Sequence, residues 1–310
     1  MLLSFVIPCY NSELTITGVI NEIVSKVSER NDEFRYEIVA VNDHSKDNVY
    51  SVLTDLANNN PNIKIINFAK NMGKHSAVLA AFSIVKGDIV IGVDDDGQCP
   101  IDRLWDLLKP IEDGHDVSIA KYPKKKQTGF KNFGSKVNAA MVRWALNKPK
   151  DLQMSNFIAR KRFVCKEMAK YTNAFPYLEG LMLQITRDIV NVPMQERNRV
   201  SGHSGYNFKR SLKLFINGFT AFSIKPLRIA TVLGAITAFI GFIFGLFVII
   251  RKIAAPNISA GYSSMMAVLL FIGGMIMLML GIIGEYIGRI NISVNNAPQY
   301  VIRETKNIDN

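Results

Sequence analysis

Residues 88–100 read DIVIGVDDDGQCP: a β-branched apolar run that ends in Asp94, Asp95 and Asp96. Three adjacent carboxylates repel one another, so the triplet demands a cation. Side chains alternate along a strand, so Asp94 and Asp96 can address one ligand. Gln98 adds a neutral amide oxygen on the same side. Hard oxygen donors of this kind suit Mg²⁺ or Mn²⁺ held jointly with the phosphates of a substrate. A solvated acidic turn has the same composition, and the element that carries the triplet decides between the two.

That element is the last of a regular series. Apolar runs at 2–7, 36–43, 62–68 and 88–94 have the length and β-branched content of strands. Between them, 13–29, 47–58 and 74–86 repeat apolar residues at helical spacing; the first carries Leu14, Ile16, Val19, Ile20, Ile23, Val24 and Val27. Strands alternating with helices predict an α/β fold with a mostly parallel sheet and helices on both faces. Ligands of such sheets sit beyond the carboxyl ends of the strands. Polar residues gather there in three loops: Pro8, Tyr10 and Asn11; Asn42, Asp43, Ser45 and Asp47; Asp94 to Gln98. No GxGxxG follows the first strand and no GxxxxGK[ST] occurs, so the dinucleotide and P-loop readings lose support. Beyond residue 116 the pattern loosens. The stretch 121–136 (KYPKKKQTGFKNFGSK) is a basic loop, 137–147 and 162–170 are expected to be helical, and 199–206 (RVSGHSGY) is a polar loop.

The composition places this fold beside a membrane. Residues 229–250 and 253–284 carry no charge, the second run broken near Pro256 and Asn257. About 20 apolar residues cross a bilayer core of roughly 30 Å, so each run predicts a transmembrane helix. The segment 207–224 is amphipathic and suits the membrane surface. The N-terminal apolar stretch is too short for a signal peptide and lacks a basic flank, so the first 220 or so residues are expected in the cytoplasm. Both termini then face inward. Residues 119–228 hold 22 Lys and Arg against 5 Asp and Glu, a balance that suits anionic headgroups and phosphates. Aromatics are not interleaved with these charges as stacking platforms, which argues against nucleic acid. Cys9, Cys99 and Cys165 form no CxxC pair and predict neither a disulfide framework nor a zinc site.

The order of Pro8 to Asn11, VNDHSKD (41–47), NMGKHSA (71–77) and DDDGQCP (94–100) resembles family 2 glycosyltransferases with the A-type, Rossmann-like fold. RVSGHSGY (199–206), FSIKPLR (222–228), GEYIGRI (284–290) and PQYVIRE (298–304) narrow the resemblance to polyprenyl-phosphate glycosyltransferases with two C-terminal membrane helices. It implies a catalytic domain over 1–206, an interface segment over 207–226, and two membrane helices within 227–288, at about 227–250 and 262–287. A cytoplasmic tail would occupy 289–310. The implied reaction is inverting transfer of a sugar from a UDP- or GDP-linked donor to a polyprenyl phosphate, such as undecaprenyl phosphate.

By position, the resemblance assigns Pro8, Tyr10, Asn11 and Asp43 to the nucleoside, with Gly73, Lys74, Asp94 and Asp95 also on the nucleotide-sugar. Asp94, Asp96 and Gln98 would carry the chemistry, with Asp96 and Gln98 on the metal. Lys121, Lys131, Arg199, Ser204 and Tyr206 would meet the acceptor phosphate. The chain departs from the family at Ser12, in place of Glu, at Gly97 and Cys99, at Ala297, and at Lys121 and Lys131, where relatives carry Arg. A homo-oligomer and coupling to a flippase complete the expected partners. Three other readings are a processive polysaccharide synthase, whose Gln-x-x-Arg-Trp motif and extra membrane helices are missing here, a phosphohydrolase with a DxD nucleophile, whose Lys and Ser/Thr constellation is not found, and a catalytically impaired scaffold of the same fold. His75 and His203 read as ordinary polar loop residues, and Trp105 and Trp144 as packing or interface residues.

Overall fold

The computed structural model describes residues 1–123, 148–149, 151–174, 176–197, 225–254, 261–295 and 297–308. They fall into two compact units, one of Met1–Gly218 with Asn296–Asn310 and one of Phe219–Asn295.

The first unit opens with the expected alternation: β1 (Leu2–Cys9), α1 (Ile16–Ser28), β2 (Arg35–Asn42), α2 (Val49–Asn59), β3 (Ile63–Phe68), α3 (Lys74–Phe82) and β4 (Ile89–Gly92). A 3₁₀ turn (Ile101–Arg103) leads into α4 (Leu104–Glu112). Then follow β5 (Val117–Lys121), β6 (Ile158–Lys161), α5 (Arg162–Ala169), α6 (Leu178–Ile185) and β7 (Ile189–Pro193). Strand β8 (Ile302–Lys306) comes from the far end of the chain. The sheet order is β7-β5-β6-β4-β1-β2-β3-β8. Strands β1 to β4 run parallel, whereas β6 lies antiparallel to β4 and β5, and β8 antiparallel to β3. The sheet is therefore mixed around a parallel centre.

Its layers follow from burial. The middle of β1 and nearly all of β2 are shielded on both faces, as a parallel sheet between helices requires. Helix α1 buries Ile16, Val19, Ile20, Ile23 and Val27, one apolar stripe at a period near 3.6. Phe5, Ile7, Ile38, Ile65, Ile91, Leu104 and Leu107 join that stripe in a continuous core. The chain winds from β1 outward to β3, then crosses back to place β4 on the other side of β1. Adjacent carboxyl ends of β1 and β4 thus form the switch point at which open α/β sheets bind ligands.

Several expected boundaries move. Strand β1 runs on through Pro8 to Cys9 rather than ending at 7, and α1 starts at Ile16 rather than 13. Helix α3 ends at Phe82 rather than 86, and β4 ends at Gly92 rather than 94, with the Val93 N–H still donating to the Val6 carbonyl at 3.1 Å. The stretch 289–310, expected as a tail, is more than that. The second apolar helix runs on to Val294, and β8 then pairs with β3, supplying the edge of the sheet with hydrogen-bond partners.

The second unit holds α7 (Lys225–Ala254) and α8 (Tyr262–Val294). Both are long and apolar enough to cross a membrane, over Ala230–Phe247 and Phe271–Val294. Phe239, Phe242, Phe247, Leu269, Phe271 and Met277 are all exposed, an arrangement that water does not tolerate and lipid does. A Cβ at Gly234 would lie 3.8 Å from Met279 Cε, an ordinary contact distance between α7 and α8. At Gly284 and Gly288 a Cβ would meet nothing described within 4 Å. The amphipathic segment 207–224 and the expected helix 137–147 lie outside the described residues.

Candidate active site

A cavity of about 390 Å³ opens at the carboxyl ends of β1 and β4. Three strand ends and the loops after them line it, with Pro8 near the end of β1 and Tyr10 just after it, Asp43 after β2, and Asp94, Asp95, Asp96 and Gln98 after β4. Lys74 enters from the start of α3, and Tyr122, Met154, Asn156, Phe157 and Glu196 close the far wall.

The three aspartates differ in what they do. Asp94 is gripped from both sides: Lys74 Nζ donates to Oδ1, and Asn156 Nδ2 donates to Oδ2 at 2.7 Å. Behind it the Cys99 thiol accepts the Asp94 N–H at 3.4 Å, and burial pushes that thiol's pKa far up. Cys99 is thus a packing residue.

Asp95 works on the backbone. Its Oδ2 accepts the Tyr10 N–H at 2.9 Å, and its carbonyl accepts the Thr15 hydroxyl, which ties the β1 loop to the β4 loop. Burial, with Asp94 and Asp96 as neighbours, pushes its pKa above the usual carboxylate value despite the Tyr10 bond.

Asp96 folds the loop on itself, Oδ1 accepting the Gln98 N–H at 3.1 Å. Gly97 between them has φ of 75°, a conformation that glycine adopts without strain, so glycine suits this turn. Gln98 is anchored across the chain: Nε2 donates to the Arg197 carbonyl at 3.3 Å, and the Arg197 N–H returns to the Gln98 carbonyl at 3.2 Å. The Arg197 guanidinium in turn holds Glu22 of α1, at 2.8 and 3.0 Å, and Asp102 of the 3₁₀ turn.

Asp43 is buried and accepts two backbone N–H groups, from Met72 at 2.6 Å and Gly73 at 2.8 Å. Burial outweighs those bonds and raises its pKa. Gly73 at φ 86° lets the chain turn into α3. Asn11, at φ 54°, faces the β2 loop instead of the cavity: its N–H meets Ser45 Oγ at 3.1 Å and its Oδ1 accepts the Lys46 N–H at 2.9 Å.

Of the residues singled out from the sequence, Pro8, Tyr10, Asp43, Lys74, Asp94, Asp95, Asp96 and Gln98 line one cavity. Asn11 and Gly73 shape its loops from outside the lining. Lys121 ends β5 beside the lining residue Tyr122 and is itself exposed. Lys131, Arg199, Ser204 and Tyr206 lie outside the described residues, as do His203 and Trp144. Trp105 packs on Phe34 with ring centroids 5.3 Å apart. His75 accepts the Leu178 N–H on Nδ1 at 3.2 Å, and burial, with Lys74 adjacent, lowers its pKa to about 4. Asn156 and Arg197 carry no sequence signal, since each reaches the site loop through a tertiary contact.

The donor set fits a divalent cation of the Mg²⁺ type. Asp96 and Gln98 offer a carboxylate and an amide oxygen in one lined cavity. Among the described residues no group of three or more His, Cys, Asp or Glu could hold a metal alone. An ion bound here would share its coordination with substrate phosphates and water, as Mg²⁺ commonly does.

Residues 4–170 match the model of glycosyl transferase family 2, and residues 225–290 match the GtrB C-terminal hairpin. The chain belongs to glycosyl transferase family 2. This family 2 glycosyltransferase is 32% identical to the uncharacterized glycosyltransferase YkcC of Bacillus subtilis, over 99% of this chain and 95% of that one. It is 30% identical to the SfII prophage-derived bactoprenol glucosyl transferase of Shigella flexneri, over 98% of both. Its fold also resembles the crystal structure of mannosyl-3-phosphoglycerate synthase from Rubrobacter xylanophilus, with a TM-score of 0.51 at 16% identity, over 72% of this chain and 73% of that one.

Proposed function

We propose that this glycosyltransferase moves a sugar from a nucleotide-sugar to a polyprenyl phosphate, with inversion, at the cytoplasmic face of a membrane. The observation that carries the proposal is the doubly gripped Asp94 beside Asp96 and Gln98, in a chain whose C-terminal part matches the GtrB hairpin. The relative named as a bactoprenol glucosyl transferase supports a polyprenyl phosphate acceptor, with undecaprenyl phosphate as the member to test.

Pro8, Tyr10 and Asp43 hold the nucleoside, and Asp94, kept in place by Lys74 and Asn156, contacts the sugar. Asp96 and Gln98 would hold Mg²⁺ or Mn²⁺, which would supply the positive charge that a departing diphosphate needs. The acceptor phosphate has a second pKa of about 6 and is largely dianionic at neutral pH. It needs cations and orientation more than a strong base, which Lys121, Lys131, Arg199, Ser204 and Tyr206 supply. One displacement by its oxygen converts an α-linked donor into a β-linked lipid phosphate, with a nucleoside diphosphate released. A lipid-linked sugar made inside and used outside needs a flippase, and a homo-oligomer remains part of the proposal.

The test is direct. Purified protein in detergent, with undecaprenyl phosphate and Mn²⁺, is offered UDP- and GDP-sugars, and products are read by mass spectrometry. One donor should give a glycolipid, and Asp96→Ala should lower the rate by about two orders of magnitude or more. Nucleotide-sugar binding without product across the panel would favour the scaffold reading.

A further inference from the structure

Strand β8 follows α8 in sequence and closes the sheet edge beside β3, where Glu304 stands directly opposite Asn67. Asn67 Nδ2 donates to Glu304 Oε1 at 2.8 Å. Asn67 Oδ1 accepts from Asn42 Nδ2 at 2.9 Å, and both asparagines are buried. Asn42 Oδ1 then accepts the Ser45 N–H at 3.1 Å. Ser45 Oγ takes the Asn11 N–H, and Asn11 Oδ1 takes the Lys46 N–H. A relay of three side chains, Glu304, Asn67 and Asn42, thus ends on the Ser45 backbone N–H, and bonds between side chains and backbone amides link it onward to the two loops that carry Tyr10 and Asp43. The strand is well fixed at its other end: buried Gln299 donates to the Tyr171 and Asn173 carbonyls, and Tyr300 stacks on Phe68 at 5.5 Å.

We propose that Glu304 is a positioning residue for the nucleotide end of the site, acting through Asn67 and Asn42 on the loop 43–47. The role in nucleotide binding rests on the proposed function; the effect on the loop does not. A carboxylate at the edge strand fixes the orientation of both amides, because an acceptor at Asn67 Nδ2 forces Asn67 Oδ1 toward Asn42. Asn42 Oδ1 is then the atom left for Ser45. Without Glu304 either amide can rotate, and the loop loses its anchor. The buried members of such a relay depend on each other's satisfaction.

The test uses the full-length protein in detergent, with Glu304→Ala, Glu304→Gln, Asn67→Ala and the double variant Asn67→Ala/Glu304→Ala. Hydrogen exchange of the ligand-free protein reads the loop. The Ser45 and Lys46 amides should exchange about tenfold faster in Glu304→Ala. Glu304→Gln should restore protection, since its amide oxygen accepts the same bond. Calorimetry with UDP and with GDP in Mn²⁺ should show Glu304→Ala weakening the bound nucleotide by about fivefold, and the double variant should be no weaker than Asn67→Ala alone. Unchanged exchange at Ser45 and Lys46, or a Glu304→Gln as exposed as Glu304→Ala, would overturn the inference; so would a lower Tm with both loop and nucleotide affinity intact. If the wild type binds neither nucleotide yet the loop responds as expected, the proposed function falls and the relay stands.

Discussion

Asp94 takes its geometry from two donors on different elements, and Asn156 is the more testable of them. Truncation in Asn156→Ala removes one bond at 2.7 Å and leaves Lys74 to hold the Asp94 carboxylate at the place proposed for the sugar. The expected loss is about tenfold in kcat/KM, roughly 1.4 kcal/mol, with little change in Tm because Asn156 is exposed. Asn156→Asp should cost more, since it sets a like charge against Asp94. His75 bears on stability. In the folded state its pKa is lowered to about 4, so the folded protein binds fewer protons than the unfolded chain between about pH 6.5 and 4. Stability contributed by the neutral ring is therefore complete above about pH 6.5 and falls as the pH drops toward 4, by roughly 2–3 kcal/mol. Melting wild type and His75→Gln at pH 7.5 and pH 5 checks this. Glutamine keeps an acceptor for the Leu178 N–H and cannot be protonated, so the variant should lose less on acidification.

The amino ends of the strands depend on one buried carboxylate. Glu37 on β2 accepts the Ser4 hydroxyl of β1, Lys64 Nζ of β3 at 2.6 Å, and the backbone N–H groups of Lys86 and Gly87 before β4. Burial alone would raise its pKa, but Lys64 and the other donors hold it below the usual value. Glu37→Ala strands a half-buried lysine and several donors at once. It should cost about 3 kcal/mol or more, read as a drop in Tm with nucleotide affinity preserved, because the cavity lies at the opposite end of the sheet. Gly87 cannot be altered either, since a Cβ there would sit 2.8 Å from the Leu2 carbonyl and 2.4 Å from Ser4 Oγ.

Across the whole molecule, an α/β unit and an apolar helical hairpin share one chain, and β8 returns that chain to the sheet after the hairpin. The proposed topology places the break at Pro256 and Asn257 outside and Asn307 inside. All three cysteines are buried, which keeps the labelling background low. With Asn257→Cys, a membrane-impermeant maleimide should label intact cells; with Asn307→Cys it should label only after permeabilisation. The reverse pattern would turn the catalytic unit outward and remove it from cytoplasmic nucleotide-sugars.

What the sequence by itself determined is what local pattern encodes. Continuous β-branched runs located β1 to β4 and runs of period near 3.6 located α1 to α3, because burial of a strand on both faces and of a helix on one face is written in its own residues. Charge-free runs located both apolar helices, and polar residues at strand ends located Asp43, Asp94, Asp96 and Gln98. Tertiary structure alone decided the rest. The links Asn156–Asp94, Gln98–Arg197 and Asn67–Glu304 join residues 62, 99 and 237 positions apart. No window of sequence contains both partners of such a bond. Strand β8 escaped notice for the same reason, because a short polar stretch becomes a strand only when an edge such as β3 supplies its hydrogen bonds. Alternation along the chain set Asp94 and Asp96 apart from Asp95, but the grip of Lys74 and Asn156 on Asp94 and the bond from the Tyr10 N–H to Asp95 come from donors elsewhere in the fold.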